Sequence, residues 1–194
     1  MERLRYQFLA AAGLSLDQHR ERRVGELRYL LAQLVDRRAS PHQPAVGGRP
    51  KLSVADFQRA FEEIIPATVA RRIAWFENPQ ILRYEPGGLY GPHADSDHFI
   101  PEEGIWKKVI DRDVSILLYL NQQFEGGELS FRQFNYLYRP QAGDLLFFPS
   151  HGQYAHQALP IKLGIRYVIV SWAAFREEPR VLDLRPSDCI ELPV

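Results

Sequence analysis

Cysteine is almost absent from this chain of 194 residues, in which Cys189 stands alone. A single cysteine excludes any disulfide within the chain and favours a reducing compartment. We do not expect the first residues to form a signal peptide, because the charged stretch at 17–23 follows them closely. We therefore expect a cytoplasmic protein.

An excess of charge of either sign is absent as well, because 24 basic residues balance 24 acidic ones. No global field would attract the chain to a phosphate backbone, which makes nucleic acid an unfavourable partner. No apolar run approaches the length that crosses a bilayer, so we expect no membrane partner. The hydrophobic content of 45% is that of an ordinary globular protein.

The N-terminal part of the chain differs in character from the rest. Residues 15–38 place Val24, Leu27 and Leu31 at helical spacing between charged residues, which predicts an amphipathic helix. Residues 39–50 are rich in proline and glycine and indicate a linker. We predict a helical segment with a linker over 1–50, followed by one domain over 51–194.

A second helix is predicted to begin at Ser53, with Asp56 three residues on as a capping signature. Pro66 is expected to kink this helix or to separate it from a further turn. We expect both helices to buttress a sheet.

Short segments rich in aromatic and branched residues alternate with turn signals after residue 72, at 81–84, 114–120, 128–131, 145–148 and 167–172. This spacing predicts a mainly β fold with flanking helices, either a barrel or a double-sheet jelly roll. Residues 96–111 are predicted to form a surface loop that could cover a site. Trp106 in this loop would either contact a substrate or anchor the loop.

A candidate metal site begins with His93 and Asp95. Residues two apart in a strand point to the same face, so an imidazole and a carboxylate would converge. A second nitrogen ligand, from His151 or His156, would complete the set of two histidines and one carboxylate that holds iron on one face. Asp97 and His98 are rivals that we interpret as loop residues near the mouth of the site.

Arg166 provides a second signal. If residues 166–172 form a strand, Arg166 shares a face with Val168, Val170 and Trp172, where a buried guanidinium needs an anionic partner. A dicarboxylate that chelates the metal at one end and meets Arg166 at the other would explain both features. The alternative is an exposed arginine at the end of a strand.

Several motifs follow one another in a fixed order between residues 83 and 166. They are Arg83-Tyr84, Tyr90-Gly91-Pro92-His93-Ala94-Asp95, Leu118-Tyr119-Leu120-Asn121, Gly126-Gly127-Glu128-Leu129-Ser130-Phe131, Gly143-Asp144-Leu145-Leu146-Phe147-Phe148-Pro149, and His156-Gln157-Ala158-Leu159-Pro160 with Gly164 and Arg166. Together they are specific, whereas His-x-Asp alone would be weak. In them the chain resembles the iron(II)/2-oxoglutarate-dependent dioxygenases, most closely the prolyl 4-hydroxylase branch.

The resemblance implies a double-stranded β-helix, which is a cupin-like jelly roll, and a dioxygenase domain over 51–194. It implies Fe(II) held by His93, Asp95 and His156, with 2-oxoglutarate and O2 as co-substrates and ascorbate as a reductant. It further implies that Arg166 grips the distal carboxylate of 2-oxoglutarate.

The resemblance also implies hydrogen bonds to 2-oxoglutarate from the hydroxyl groups of Tyr119 and Tyr84. Each tyrosine has an alternative interpretation as an aromatic residue packed in the core.

The activity that the resemblance implies is hydroxylation of an unactivated C–H bond, on a prolyl residue of a protein or peptide or on a small amino-acid-like molecule. Two alternatives use the same scaffold. A nucleic-acid demethylase would favour a second arginine soon after Arg166, but Arg176 and Arg180 lie beyond the predicted strand. A non-catalytic jelly-roll binding module would have no need of the full set of ligands.

Overall fold

The computed structural model describes residues 5–8 and 60–193. The predicted helix at 15–38, the linker at 39–50 and the start of the helix at Ser53 lie outside the described residues and stay predictions.

The described part of the chain is built mainly from short strands. The strands are β1 (Arg5–Phe8), β2 (Ile73–Glu77), β3 (Gln80–Tyr84), β4 (Tyr90–His93), β5 (Asp97–Ile100), β6 (Ile105–Lys108), β7 (Val114–Tyr119), β8 (Phe124–Gly126), β9 (Leu129–Phe131), β10 (Tyr136–Tyr138), β11 (Asp144–Pro149), β12 (His156–Ala158), β13 (Ile161–Gly164), β14 (Arg166–Phe175) and β15 (Cys189–Glu191). The helical elements are a π-helical turn (Ala60–Ile64), α1 (Ile65–Val69), and 3₁₀ turns at Arg132–Phe134 and Gly152–Tyr154.

Two sheets face each other. The large sheet has the strand order β1-β11-β7-β14-β2-β15, and β3 also pairs with β14. The small sheet has the order β10-β9-β12-β4. The chain forms the predicted double-stranded β-helix. The sequence pattern did not indicate β1, which adds a parallel strand to the edge of the large sheet beside β11.

The strands β7, β11 and β14 of the large sheet are buried on both faces because each face is covered. On β11, Leu145 and Phe147 belong to the cluster beneath the helical segment, whereas Leu146 and Phe148 belong to the cluster between the two sheets. Side chains alternate between faces along a strand, so a strand buried on both sides appears in the sequence as a continuous apolar run.

The helical segment packs on the outer face of the large sheet. The rings of Phe61 and Phe76 stack with their centroids 4.0 Å apart. Pro66 lies in the first turn of α1, directly after the π-helical turn. Since proline has no N–H to donate to the preceding turn, it separates the two helical turns as predicted. None of the helices in 60–193 is long and apolar enough to cross a membrane.

The prediction of a loop over residues 96–111 was wrong, because β5 and β6 form an antiparallel hairpin there. Phe99 and Trp106 are cross-strand partners with ring centroids 5.3 Å apart. The tight turn between the strands ends at Gly104, whose φ of +68° suits glycine. The prolines, glutamates and glycine that favoured a loop therefore belong mostly to this turn.

The hairpin is anchored to the 3₁₀ turn that leads into β12. The backbone N–H of Gly152 donates to Asp97 Oδ2 at 2.9 Å, and the ring of Trp106 lies directly against the Cα of Gly152. Trp106 thus anchors its own hairpin, as one of the two interpretations of this residue predicted.

Replacing Gly152 with alanine tests this anchor. The new methyl group would overlap the Trp106 ring, so we expect a loss of about 1–3 kcal/mol in the free energy of unfolding. Denaturant unfolding followed by tryptophan fluorescence measures the change. Gly91→Ala is the control, because a Cβ there meets open space. Equal stability of the two variants would contradict the anchor.

Candidate active site

The pairing of two strands brings the two histidines of the candidate metal site together. His93 is the last residue of β4 and His156 the first residue of β12, and the two are direct partners in the antiparallel register. Their ring centroids lie 4.3 Å apart. Of the two histidines that the sequence left open, the structure therefore brings His156 to His93.

Asp95 reaches the histidines from a bend, and the prediction that it continues the strand of His93 was wrong. β4 ends at His93, and the backbone N–H groups of Asp95 and Ser96 both donate to the carbonyl oxygen of Ser150 at 3.1 Å. Asp95 Oδ1 lies 3.4 Å from His93 Nε2, and Asp95 Oδ2 lies 3.7 Å from His156 Nε2. The three ligand atoms lie within 4.8 Å of one another.

Backbone carbonyls orient both imidazoles. His93 Nδ1 lies 2.9 Å from the carbonyl oxygen of Gly91, and His156 Nδ1 lies 3.0 Å from that of Tyr154. A carbonyl oxygen can only accept, so each Nδ1 carries the proton and each neutral ring keeps its lone pair on Nε2. Such backbone bonds are how proteins orient metal-binding histidines.

The local electrostatics keep Asp95 ionised. Burial raises the pKa of this carboxyl group, but hydrogen bonds from His93 and Ser115 and the nearby His156 outweigh it and lower the pKa to about 2. Burial lowers the pKa of His156. Burial also lowers the pKa of His93, but the Asp95 carboxylate and the Gly91 carbonyl together favour the form that is protonated on both nitrogens, and the net effect raises its pKa. A metal cation bound between these groups would replace the proton on His93 Nε2.

Two buried serines support Asp95, and neither was predicted. Ser115 Oγ donates to Asp95 Oδ2 at 2.6 Å and lies 2.7 Å from Ser150 Oγ. Ser115 is 1% exposed and Ser150 2% exposed. The sequence did contain a signal for Ser115, which is a hydroxyl residue within the apolar segment of β7. A buried polar group requires a partner, so Ser115 could have been expected to hold one.

The rival residues lie close by but outside the cluster. His151 packs its ring against Tyr154 with centroids 5.2 Å apart. Asp97 accepts hydrogen bonds from Ser96 Oγ and from the Gly152 N–H, so both of its oxygens are engaged. Asp97 and His98 line the cavity described next, as predicted, but they belong to β5 rather than to a loop.

A cavity of about 560 Å³ opens beside the three clustered residues. Arg166, Val168, Val170 and Trp172 of β14 all line it, which confirms the prediction that they share one face. His93, Asp95 and His156 line the same cavity.

Arg166 is buried without a carboxylate partner among the residues that the structure describes. It is 2% exposed, so the alternative of an exposed strand-end arginine was wrong. Its Nη1 donates to the carbonyl oxygen of Gly127 at 2.6 Å, and its guanidinium carbon lies 4.0 Å from the ring centroid of Tyr84. Within residues 60–193 its Nε has no hydrogen-bond partner. Such a buried cation calls for an anion.

Tyr119 presents a second unpaired group to the same cavity. The residue is 1% exposed, and its hydroxyl has no hydrogen-bond partner among the described residues. Burial raises its pKa, so the hydroxyl keeps its proton and remains a donor. In the described part of the chain only three buried side-chain atoms lack a partner, namely Arg166 Nε, Tyr119 Oη and Tyr154 Oη. The first two belong to residues that line the cavity, where they fit an anionic ligand with acceptor oxygens.

Sequence reasoning also missed Arg112, whose charge is balanced within the protein. Its Nε and Nη2 donate to the two carboxylate oxygens of Glu77 at 2.5 and 2.7 Å. Its guanidinium carbon lies 3.8 Å from the ring centroid of Trp172, and Nη1 donates to the Asp95 carbonyl oxygen at 3.4 Å. Arg112 therefore offers no free charge to a ligand, in contrast with Arg166.

The fold and the site together define a class of protein. A double-stranded β-helix with two histidines and one carboxylate clustered at the mouth of its inner cavity has the donor set of a non-haem Fe(II) oxygenase. The chain belongs to the 2OG-Fe(II) oxygenase superfamily, whose family model matches residues 79–174. This confirms the resemblance noted in the sequence, including its similarity to prolyl hydroxylases.

Individual relatives agree with this family. A PKHD-type hydroxylase of Synechococcus sp. (strain JA-2-3B'a(2-13)) is 30% identical over an alignment of 127 residues that covers 59% of this chain and 54% of the relative. The chain therefore spans about half the length of the curated relatives it matches.

Two solved structures share the fold. One is the viral collagen prolyl hydroxylase of Paramecium Bursaria Chlorella virus-1 in its 2OG complex, with a TM-score of 0.57 and 21% identity over 79% of this chain and 91% of that one. The other is a Pseudomonas putida prolyl-4-hydroxylase, with a TM-score of 0.57 and 23% identity over 80% of this chain and 89% of that one.

Proposed function

We propose that this chain is an Fe(II)- and 2-oxoglutarate-dependent dioxygenase that hydroxylates a C–H bond of a prolyl residue in a peptide or protein. One observation carries the proposal. A clustered pair of histidines with an ionised carboxylate shares a cavity with a buried arginine that has no carboxylate partner within residues 60–193.

His93, Asp95 and His156 would hold the Fe(II). The two imidazoles offer neutral Nε2 donors and the aspartate an anionic oxygen, so the three residues supply the donor types that Fe(II) takes in this class. When bound, the iron with 2-oxoglutarate and O2 supplies the oxidising power for C–H hydroxylation, with ascorbate as an external reductant.

Arg166 and Tyr119 would bind 2-oxoglutarate at the carboxylate remote from the iron. The guanidinium supplies charge and directed N–H donors, and the tyrosine hydroxyl supplies a further donor. Tyr84 would complete this subsite, because its ring lies against the guanidinium of Arg166 and lines the same cavity. Burial favours all of these contacts, since water does not compete for the buried donors.

A prolyl substrate is supported by the rim of the cavity and by the relatives. Tyr90 and Val109 line the cavity and are 53% and 44% exposed, so they offer apolar contact to a pyrrolidine ring. The viral and Pseudomonas putida structures are named prolyl hydroxylases. We keep the cytoplasmic location as part of the proposal on the strength of the single cysteine.

The two alternative functions gain no support from the described residues. A binding module without chemistry would have no use for an unpaired Arg166 beside a set of metal ligands. A nucleic-acid demethylase would need a further free basic group at the cavity beside Arg166, but Arg112, which also lines the cavity, is paired with Glu77. The balanced net charge of the chain argues in the same direction.

Turnover tests the proposed function directly. With Fe(II), 2-oxoglutarate, ascorbate and a proline-rich peptide, we expect succinate together with a peptide that has gained one oxygen by mass spectrometry. His93→Ala should reduce both products below detection, because it removes a ligand, whereas His151→Ala should retain them.

Equal succinate formation by the wild type and His93→Ala would contradict the proposal. Turnover with free proline but with no peptide would contradict the substrate class alone.

The co-substrate subsite is tested by the KM for 2-oxoglutarate. A hydrogen bond to a charged group contributes about 1.5–3 kcal/mol, so Arg166→Met should raise this KM roughly 10- to 100-fold. Tyr119→Phe should raise it by about 2- to 10-fold. Tyr154→Phe is the control, because its hydroxyl is also buried and lacks a partner in the described part of the chain, but the residue does not line the cavity. A KM for Arg166→Met equal to that of Tyr154→Phe would refute this subsite.

A further inference from the structure

The carboxylate of Asp95 is connected to a buried chain of two serine hydroxyl groups. Ser115 on β7 donates to Asp95 Oδ2 at 2.6 Å, and its oxygen lies 2.7 Å from the hydroxyl oxygen of Ser150, which directly follows β11. Both serines are almost completely buried. Three separate segments of the fold therefore meet at this carboxylate.

The number of hydroxyl protons fixes which serine donates and which accepts in these two hydrogen bonds. A serine hydroxyl has one proton, and Ser115 uses its proton on the ionised Asp95, so the hydroxyl of Ser150 must donate to Ser115. The order of donation is Ser150 to Ser115 to Asp95. The carbonyl oxygen of Ser150 also accepts from the backbone N–H groups of Asp95 and Ser96. Ser150 thus holds Asp95 by its backbone and, through Ser115, by its side chain.

The two serine hydroxyl groups contact only one of the two carboxylate oxygens of Asp95. Oδ2 receives the hydrogen bond from Ser115, whereas Oδ1 receives no hydroxyl or backbone donor from the described residues and lies 3.4 Å from His93 Nε2. A carboxylate that is hydrogen-bonded at one oxygen presents the other oxygen to a cation, and such outer-shell partners tune metal affinity.

We propose that Ser115, supported by Ser150, is a positioning residue that fixes the Asp95 carboxylate so that Oδ1 alone is presented to the metal. This inference rests on the proposed function, because it refines the same metal site. A single coordinating oxygen leaves more of the metal's positions to a chelating co-substrate and O2 than two oxygens would.

Metal affinity in the absence of turnover tests the inference. Mn(II) is the probe, because it accepts the same nitrogen and oxygen ligands without being oxidised in air, and calorimetry on the full chain measures its dissociation constant. Removing an outer-shell hydrogen bond weakens metal binding by about 10- to 100-fold, which we expect for Ser115→Ala. Ser115→Thr keeps the hydroxyl and should bind within about threefold of the wild type.

Ser171 provides a matched control. It is a fully buried serine on the adjacent strand β14, and its hydroxyl donates to the Glu77 carbonyl oxygen at 2.7 Å rather than to a metal ligand. Ser171→Ala should therefore bind Mn(II) as the wild type does. Ser150→Ala is a second variant in case Ser115→Ala does not fold, and it should weaken binding less, because Ser115 still reaches Asp95.

The outcomes separate this inference from the function beneath it. The positioning role is overturned if Ser115→Ala and Ser150→Ala both bind Mn(II) as the wild type does, or if Ser115→Ala and Ser171→Ala weaken binding equally. In either case, Mn(II) binding that is lost in His93→Ala still supports the metal site. A wild type that binds no Mn(II), or binds it equally in His93→Ala, overturns the metal site and the positioning role together.

Discussion

The antiparallel pairing of β4 with β12 is the constraint on which the site depends. It places His93 directly opposite His156, although these residues lie 63 positions apart in the chain. The bend after β4 then returns Asp95 to the pair, and the carbonyl oxygen of Ser150 holds that bend by accepting two backbone N–H groups. A shift of one residue in the register would point one imidazole away from the other, because neighbouring side chains on a strand face opposite sides.

Two arginines line the cavity, and a carboxylate of the described residues balances only one of them. Arg112 is neutralised by Glu77 and stacks on Trp172 near Asp95, where it contributes to structure. Arg166 is buried at least as deeply, has no carboxylate partner among the described residues, and is held by the Gly127 carbonyl and the Tyr84 ring. A fold can tolerate an unpaired buried cation when a ligand supplies the counter-charge, so the contrast between the two arginines argues for an anionic ligand at one place only.

Local patterns predicted a barrel or a jelly roll and left the third ligand open between His151 and His156, whereas the resemblance carried by motifs in a fixed order implied the jelly roll and His156. Apolar runs marked the buried strands, and the spacing of His93 and Asp95 marked half of the site. The hairpin at residues 97–108 was missed because its turn carries the proline, glutamates and glycine of a loop, whereas Phe99 and Trp106 show their pairing only in three dimensions. Ser115, Ser150 and Arg112 were missed because their roles come from segments distant in sequence, and a single serine or arginine carries no pattern of its own.

We propose that one cavity binds Fe(II) at the histidine–aspartate cluster and 2-oxoglutarate between that metal and Arg166. An anaerobic optical titration of the Fe(II)-loaded protein with 2-oxoglutarate tests it most directly, because an α-keto acid chelating Fe(II) produces a visible charge-transfer band. We expect a saturable band at one equivalent of 2-oxoglutarate per chain, and a much weaker affinity for 2-oxoglutarate in Arg166→Met. No band in the wild type, or an identical titration in Arg166→Met, would contradict it.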